Sequence, residues 1–267
     1  VNVPVDDAGL RRARRWLVRH GAPGQEPDRL LAARMTVRER MRHQLILHAL
    51  MLAFLVIGFA VLREFVRFSV AVDGVELMGP LLLAGAYLLA AASAWWLAHR
   101  KRRAEQRIAA TLPRRTAHSA VRLPREVLGA PFLAAVAVTY AGGVALGAGM
   151  LLFGGHLVDR VLGLILTAGT LVFGVLTALV AGEEVRRPAL ADGDAALAVD
   201  DLLRTQDSHQ GVPYSLPVAL VMSMMTVSPV FTGLLLGYVA VALLLWGATY
   251  LTDHRRPLPR TAAEPTR

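Results

Sequence analysis

Residues 215–251 read SLPVALVMSMMTVSPVFTGLLLGYVAVALLLWGATYL, a run of 37 positions without Asp, Glu, Lys or Arg. As one helix at 1.5 Å per residue it would be about 55 Å long, against a bilayer hydrocarbon core of about 30 Å. The run must therefore turn or break, and Ser228-Pro229 supplies the break, dividing it into 215–228 and 230–251. Inside a bilayer only helices or closed barrels satisfy their backbone polar groups. Solid blocks of Leu, Ala, Val and Gly lack the alternation a barrel demands, so the run reads as helix.

Four earlier runs, 44–62, 78–98, 131–153 and 161–181, are equally free of charged residues. Each has about the 20 residues a crossing needs. The expected fold class is all-α: a polytopic helical membrane bundle of six transmembrane helices arranged as three hairpins. Around the membrane domain, 44–251, the sequence places a basic amphipathic N-terminal region (1–43), two large loops (99–130 and 183–214) and a tail (252–267). No segment outside the spans is long enough for a second folded domain.

The net charge of +9 would suit a nucleic-acid partner, so its placement has to decide. Ten Arg precede residue 44, nine basic residues lie between the second and third runs, three in 183–214 and four in the tail. The intervening turns hold two and one. Basic residues thus alternate rich and poor along the loops, which is the positive-inside pattern of a multi-pass protein of the cytoplasmic (inner) membrane with its N-terminus inside. Six crossings put 26 basic residues inside and three outside, whereas five crossings give 22 and seven, so six is favoured. The expected partners are the lipid bilayer and anionic headgroups at the Arg-rich cytoplasmic segments, with another membrane protein or a second copy as the further candidate; nucleic acid is not expected. The absence of Cys excludes disulfides, thiolate metal sites and cysteine nucleophiles.

The N-terminal region opens with Asp6 and Asp7 as caps of a helix whose Leu10, Ala13 and Leu17 share a face, with Trp16 beside them and arginines elsewhere. Such a helix is expected to lie on the anionic leaflet with its indole at headgroup depth. Gly21-Ala22-Pro23-Gly24 ends it, and a second helical stretch, 28–44, runs into the first span. Trp95 and Trp96 close the second span just before His99, Arg100, Lys101, Arg102 and Arg103, an aromatic belt beside a stop-transfer cluster.

Small residues stand at helix-packing spacing in Gly143 with Gly147 and in Gly233 with Gly237. Close backbone approach at such pairs drives association in lipid, either within the bundle or in a dimer. The segment 183–214 is locally acidic in a basic protein. Residues 194–210 read as an amphipathic helix, with Asp200 and Arg204 one turn apart as an ion pair. This helix reads equally as a solvated connector or as a docking helix that meets a basic cytoplasmic surface, a partner's or the chain's own 100–125 loop, with Asp200, Asp201, Arg204, His209 and Arg115 as candidate interaction residues. Arg115 enters through a weak repeat, in which basic and histidine-bearing stretches at 40–43, 115–119 and 204–209 each precede a hairpin.

No catalytic, cofactor or metal site is expected. Adjacent carboxylates such as Asp200-Asp201 point about 100° apart on a helix and make no clamp. Asp207-Ser208-His209 has the residue types of a hydrolase triad, but consecutive side chains cannot form the relay. Ionisable groups, which ion-coupled transporters place within their spans, are limited to His48. The hydroxyls at Thr139, Tyr140, Thr167, Thr170, Thr177, Ser223, Thr226, Ser228, Thr232 and Tyr238 are expected to bond the backbone or a neighbouring helix. Met222, Met224 and Met225 are read as packing or lipid-facing residues rather than a soft ligand surface.

In layout, and in Val199-Asp200-Asp201-Leu202-Leu203-Arg204 through His209 ahead of a final apolar hairpin, the chain resembles the uncharacterised small polytopic membrane proteins of actinobacteria. A single lysine among 29 basic residues fits the same source through GC-rich coding. The resemblance implies no activity. Three classes remain: a non-catalytic accessory or scaffold subunit of a membrane complex, a small transporter or facilitator of a neutral or apolar substrate, and, least, a membrane-embedded enzyme.

Overall fold

The computed structural model describes residues 7–69, 75–109, 129–186, 194–209, 215–255 and 257–258. Eight helices carry them: α1 (Asp7–Arg19), α2 (Arg29–Ser69), α3 (Val75–Ala109), α4 (Ala130–Phe153), α5 (Leu157–Arg186), α6 (Asp194–His209), α7 (Ser215–Met225) and α8 (Pro229–Arg255). Among the described residues there is no strand.

Helix α1 ends as its sequence predicts. Gly21 takes a φ of 85°, and the Ala22 amide returns to the Leu17 carbonyl at 3.0 Å, closing the last turn through a residue that needs no Cβ. Helix α2 carries the amphipathic stretch and the first apolar run in one uninterrupted piece of 41 residues, about 60 Å long. Pro131 stands within the first turn of α4, where a missing N–H costs nothing. Farther along, α4 loosens into a π-helical turn at Val138–Gly142 and then resumes.

Four helices are long and apolar enough to cross a membrane: Leu77–Ala104, Ala130–Phe153, Leu157–Glu183 and Pro229–Asp253. The expectation of six is not supported at that level. Run 44–62 lies inside α2, where many side chains fall outside the described residues. The last run does break ahead of Pro229, but its first half folds as α7, whose 11 residues span about 16 Å, too short to cross alone. Large apolar side chains on these helices point outward, Phe54 at 79%, Phe153 at 80% and Leu244 at 74% exposure, a surface that water does not tolerate over this extent.

Two apolar cores hold the chain together. One lies among α3, α4, α5, α7 and α8 and includes Tyr87, Met150, Leu162, Leu166, Phe173, Met222 and Leu235. The backbones of α4 and α5 come close there: a Cβ on Gly147 would stand 2.8 Å from the Gly163 carbonyl oxygen, and one on Gly163 would stand 2.6 Å from the Gly147 carbonyl oxygen. Gly143 is likewise filled by Thr170 and Tyr238. Gly233 and Gly237, identical in spacing, have open space where a Cβ would stand.

The second core joins α1, the first turns of α2, α6 and Leu258 through Ala13, Trp16, Leu17, Leu31, Val199, Leu202 and Leu203. It corrects the expectation that α1 turns its apolar stripe to lipid. Trp16 is 8% exposed and Leu17 1%, so the stripe faces protein and the outward face is Arg11, Arg14, Arg15 and Arg19. An amphipathic stripe fits either environment, and α6 provides a matching apolar face about 180 residues away.

Candidate functional site

The acidic helix α6 is the centre of a buried ionic cap at the arginine-rich end of the bundle. Its two inward carboxylates stand seven residues apart, two turns along one face, and both are buried: Asp200 and Asp207. Helix α2 offers Arg34 and Arg38, one turn apart, to meet them.

At Asp200, Arg34 Nη1 donates to Oδ1 at 2.6 Å and Arg204 Nε donates to Oδ2 at 2.8 Å. One guanidinium comes from another helix and the other from α6 itself, so each carboxylate oxygen has a charged donor. At Asp207, Arg38 Nε donates to Oδ1 at 2.8 Å and its Nη2 binds the same oxygen. The same guanidinium reaches the Leu203 carbonyl at 2.9 Å and Gln206 Oε1 at 3.2 Å. Lys101 Nζ of α3 completes the group 3.0 Å from Asp207 Oδ1. Burial alone would push the Asp207 carboxyl up, but Arg38, Lys101 and Arg34 outweigh it and hold the group well below the usual carboxylate range.

Gln206 keys α1 into this cap. Its Oε1 accepts from Trp16 Nε1 at 3.3 Å as well as from Arg38, and its amide nitrogen lies 3.0 Å from His20 Nε2. His20 Nδ1 lies 2.7 Å from the Trp16 carbonyl oxygen. These contacts fit a neutral His20 with the proton on Nδ1, donating to the carbonyl while Nε2 accepts from Gln206. The Leu258 amide then bonds the His20 carbonyl at 2.8 Å, drawing the segment after α8 to the same end.

His209, at the end of α6, sits with Asp253 of α8 at 2.5 Å and stacks on Phe132 of α4, centroid to centroid 4.3 Å. Phe132 meets Trp246 edge-on, and the Trp246 indole donates to Thr139 Oγ1 at 3.0 Å, at the π-helical turn. Tyr238 OH donates to the Thr139 carbonyl oxygen at 2.6 Å. Arg102 and Glu183 join α3 to the end of α5. At the opposite end, Asp159 Oδ1 accepts from the Val227 amide at 2.9 Å and links the first turn of α5 to the α7–α8 turn.

The expected interaction residues are thus distributed unevenly. Asp200, Arg204 and His209 are engaged inside the chain, as is Asp207, which the expectation left out. Asp201 is half-buried. Arg115 lies outside the described residues. Docking on the chain's own basic residues is what the structure contains, but the chief partners are Arg34 and Arg38, with Lys101 the contribution from the 100–125 stretch. The signal for them was present as an i, i+4 arginine pair facing an i, i+7 aspartate pair, whose meeting only the tertiary fold shows. The proposed repeat finds no parallel in environment: His43 is exposed beside Glu39, while His209 is packed against Phe132.

Buried ion pairs of this kind add little net stability over apolar packing, because each charge is stripped of water. Their effect is on register. A one-turn slip of α6 would break both the Arg34–Asp200 and the Arg38–Asp207 pairs as they stand. The arrangement fixes α6 as a brace across α1, α2, α3 and α8. Comparison with protein-family models, with curated proteins and with solved structures finds no match to this chain.

Proposed function

We propose that this chain is a non-catalytic accessory or scaffold subunit of a membrane complex. It would cross the bilayer six times as three hairpins, with both described ends on the cytoplasmic side. The observation that carries the scaffold reading is the state of the intramembrane hydroxyls. Tyr140 pairs with Thr177 at 2.5 Å, and Tyr238 and Trp246 both bond Thr139. Thr167, Thr170 and Ser223 bond carbonyls of their own helices. Thr226 and Thr232 bond each other at 2.7 Å. A solute pathway needs polar groups turned to a common lumen, whereas these are spent in holding helices together. Gly233 and Gly237 meanwhile leave a smooth outward face on α8, suited to a neighbouring helix.

The six-pass topology draws on the contacts at the two ends. Leu258, Asp253 and His209 meet the arginine-rich end, and Val227 meets the opposite end at Asp159, so the path from α6 through α7 crosses the bundle although α7 itself is short. The basic loops support the cytoplasmic assignment of that end.

The alternative, a facilitator of a neutral or apolar solute, draws on the helix break at 226–228 and on the π-helical turn, since such irregularities mark moving parts in transporters. Affinity purification from native membranes in mild detergent tests the choice. A partner recovered in fixed stoichiometry supports the scaffold reading; the chain reconstituted alone and moving a neutral solute overturns it.

A further inference from the structure

The basic run at the end of α3 divides between two faces. Lys101 and Arg102 turn inward onto Asp207 and Glu183. Arg100, Arg103 and Arg107 are exposed and make no ion pair among the described residues. They follow the exposed Trp96 at steps of four, three and four residues, so all four share one helical face. The Arg100 guanidinium carbon lies over the Trp96 ring, 4.6 Å from its centroid.

Traced toward the start of α3, the same face is exposed and apolar. Leu82 and Leu89 are each 49% exposed, and between them Gly85 has nothing within 4 Å of where a Cβ would stand. The face therefore runs from a shallow apolar groove, through an indole, to three guanidinium groups, the last about 16 Å beyond the indole. A phospholipid has the same order: acyl chain, glycerol ester, phosphate. Helix α1 also shows an arginine face, but its apolar stripe is buried in protein and offers nothing to a chain.

We propose that this face of α3 is a binding site for an anionic phospholipid, its chain along Leu82 and Leu89, its ester region at Trp96 and its phosphate at Arg100 and Arg103. The proposal rests on the membrane-spanning reading above and goes beyond general attraction between basic loops and a leaflet. It assigns the lipid to one helix face and makes the inward-facing Lys101 and Arg102 irrelevant to it.

The test is tryptophan quenching in vesicles of phosphatidylcholine containing a minor fraction of chain-brominated lipid, either phosphatidylglycerol or phosphatidylcholine. Full-length W95F protein is compared with W95F/W96F protein, so that the difference belongs to Trp96. The expected result is preferential quenching by the anionic lipid, equivalent to about fivefold or greater enrichment at Trp96, falling to near parity in R100Q/R103Q/R107Q and partly retained when the three arginines become lysine. Equal quenching by the two lipids overturns the site, as does a preference that survives the triple glutamine change. Absence of quenching by either lipid overturns the membrane-spanning reading and the site with it.

Discussion

Asp207 is buried among more positive than negative charge, with Arg38, Lys101 and Arg34 around it. Its carboxyl is held below the unfolded value of about 3.9, so on acidification the unfolded chain takes up the proton first. The stability it contributes is complete above that unfolded value and is lost as the pH falls below it toward the native one. Asp207→Asn removes the charge and leaves Arg38 and Lys101 buried without it; the expected cost is about 3–5 kcal/mol, measured by thermal unfolding in detergent at neutral pH. As the pH falls below about 4 the difference between the two proteins should shrink, because the unfolded wild-type chain takes up a proton there that the native Asp207 does not. The glycines make a second residue-scale contrast. Gly147→Ala forces a Cβ to 2.5 Å from Thr167 Oγ1 and 2.8 Å from the Gly163 carbonyl oxygen, and should destabilise by about 1–3 kcal/mol. Gly237→Ala meets nothing and should leave the melting of the isolated chain unchanged. Both positions carry the same spacing in the sequence; spacing says which glycines share a face, not which face meets a neighbour.

Local patterns marked most helix boundaries. Asp7 at the start of α1, Gly21 after its end, the continuity of α2 and the break ahead of Pro229 were all legible from caps, periodicity and Pro/Gly chemistry. The π-helical turn was not read from the sequence: Val138–Gly142 holds Thr139 and Tyr140, the two hydroxyl residues of α4, and neither specifies a wider turn. The burial of α1 was illegible for another reason: Leu10, Ala13 and Leu17 specify an apolar stripe, and whether lipid or protein covers it depends on Leu31, Val199, Leu202 and Leu203. Because that cap core has water as its alternative solvent, truncation there loses true hydrophobic burial. Leu17→Ala should cost about 2–5 kcal/mol of α1 docking. It should appear as faster proteolysis of the α1 segment in the purified protein, and unchanged proteolysis would count against the packing of α1 on α6.

Across the whole molecule, the cap and the bundle divide the forces between them. In a bilayer the helices gain nothing from hiding Leu from Leu-like lipid, so close approach at Gly143, Gly147 and Gly163 and the hydroxyl pairs must hold them. At the arginine-rich end, burial of apolar side chains and ion-pair geometry hold α6 in register. The helical class and the apolar runs were readable from composition; the charge of the acidic helix left docking and a solvated connector equally open, and its pairing with Arg34 and Arg38 was a matter of tertiary placement. In the proposed topology the chain crosses an even number of times and returns to the side on which it starts. Cysteine-free, it permits a direct test with two single-cysteine proteins, His156→Cys in the α4–α5 turn and Ala262→Cys in the tail. Treatment of intact cells with a membrane-impermeant maleimide should label the cysteine at 156 and label the one at 262 only after permeabilisation. Labelling of the cysteine at 262 in intact cells would contradict the account.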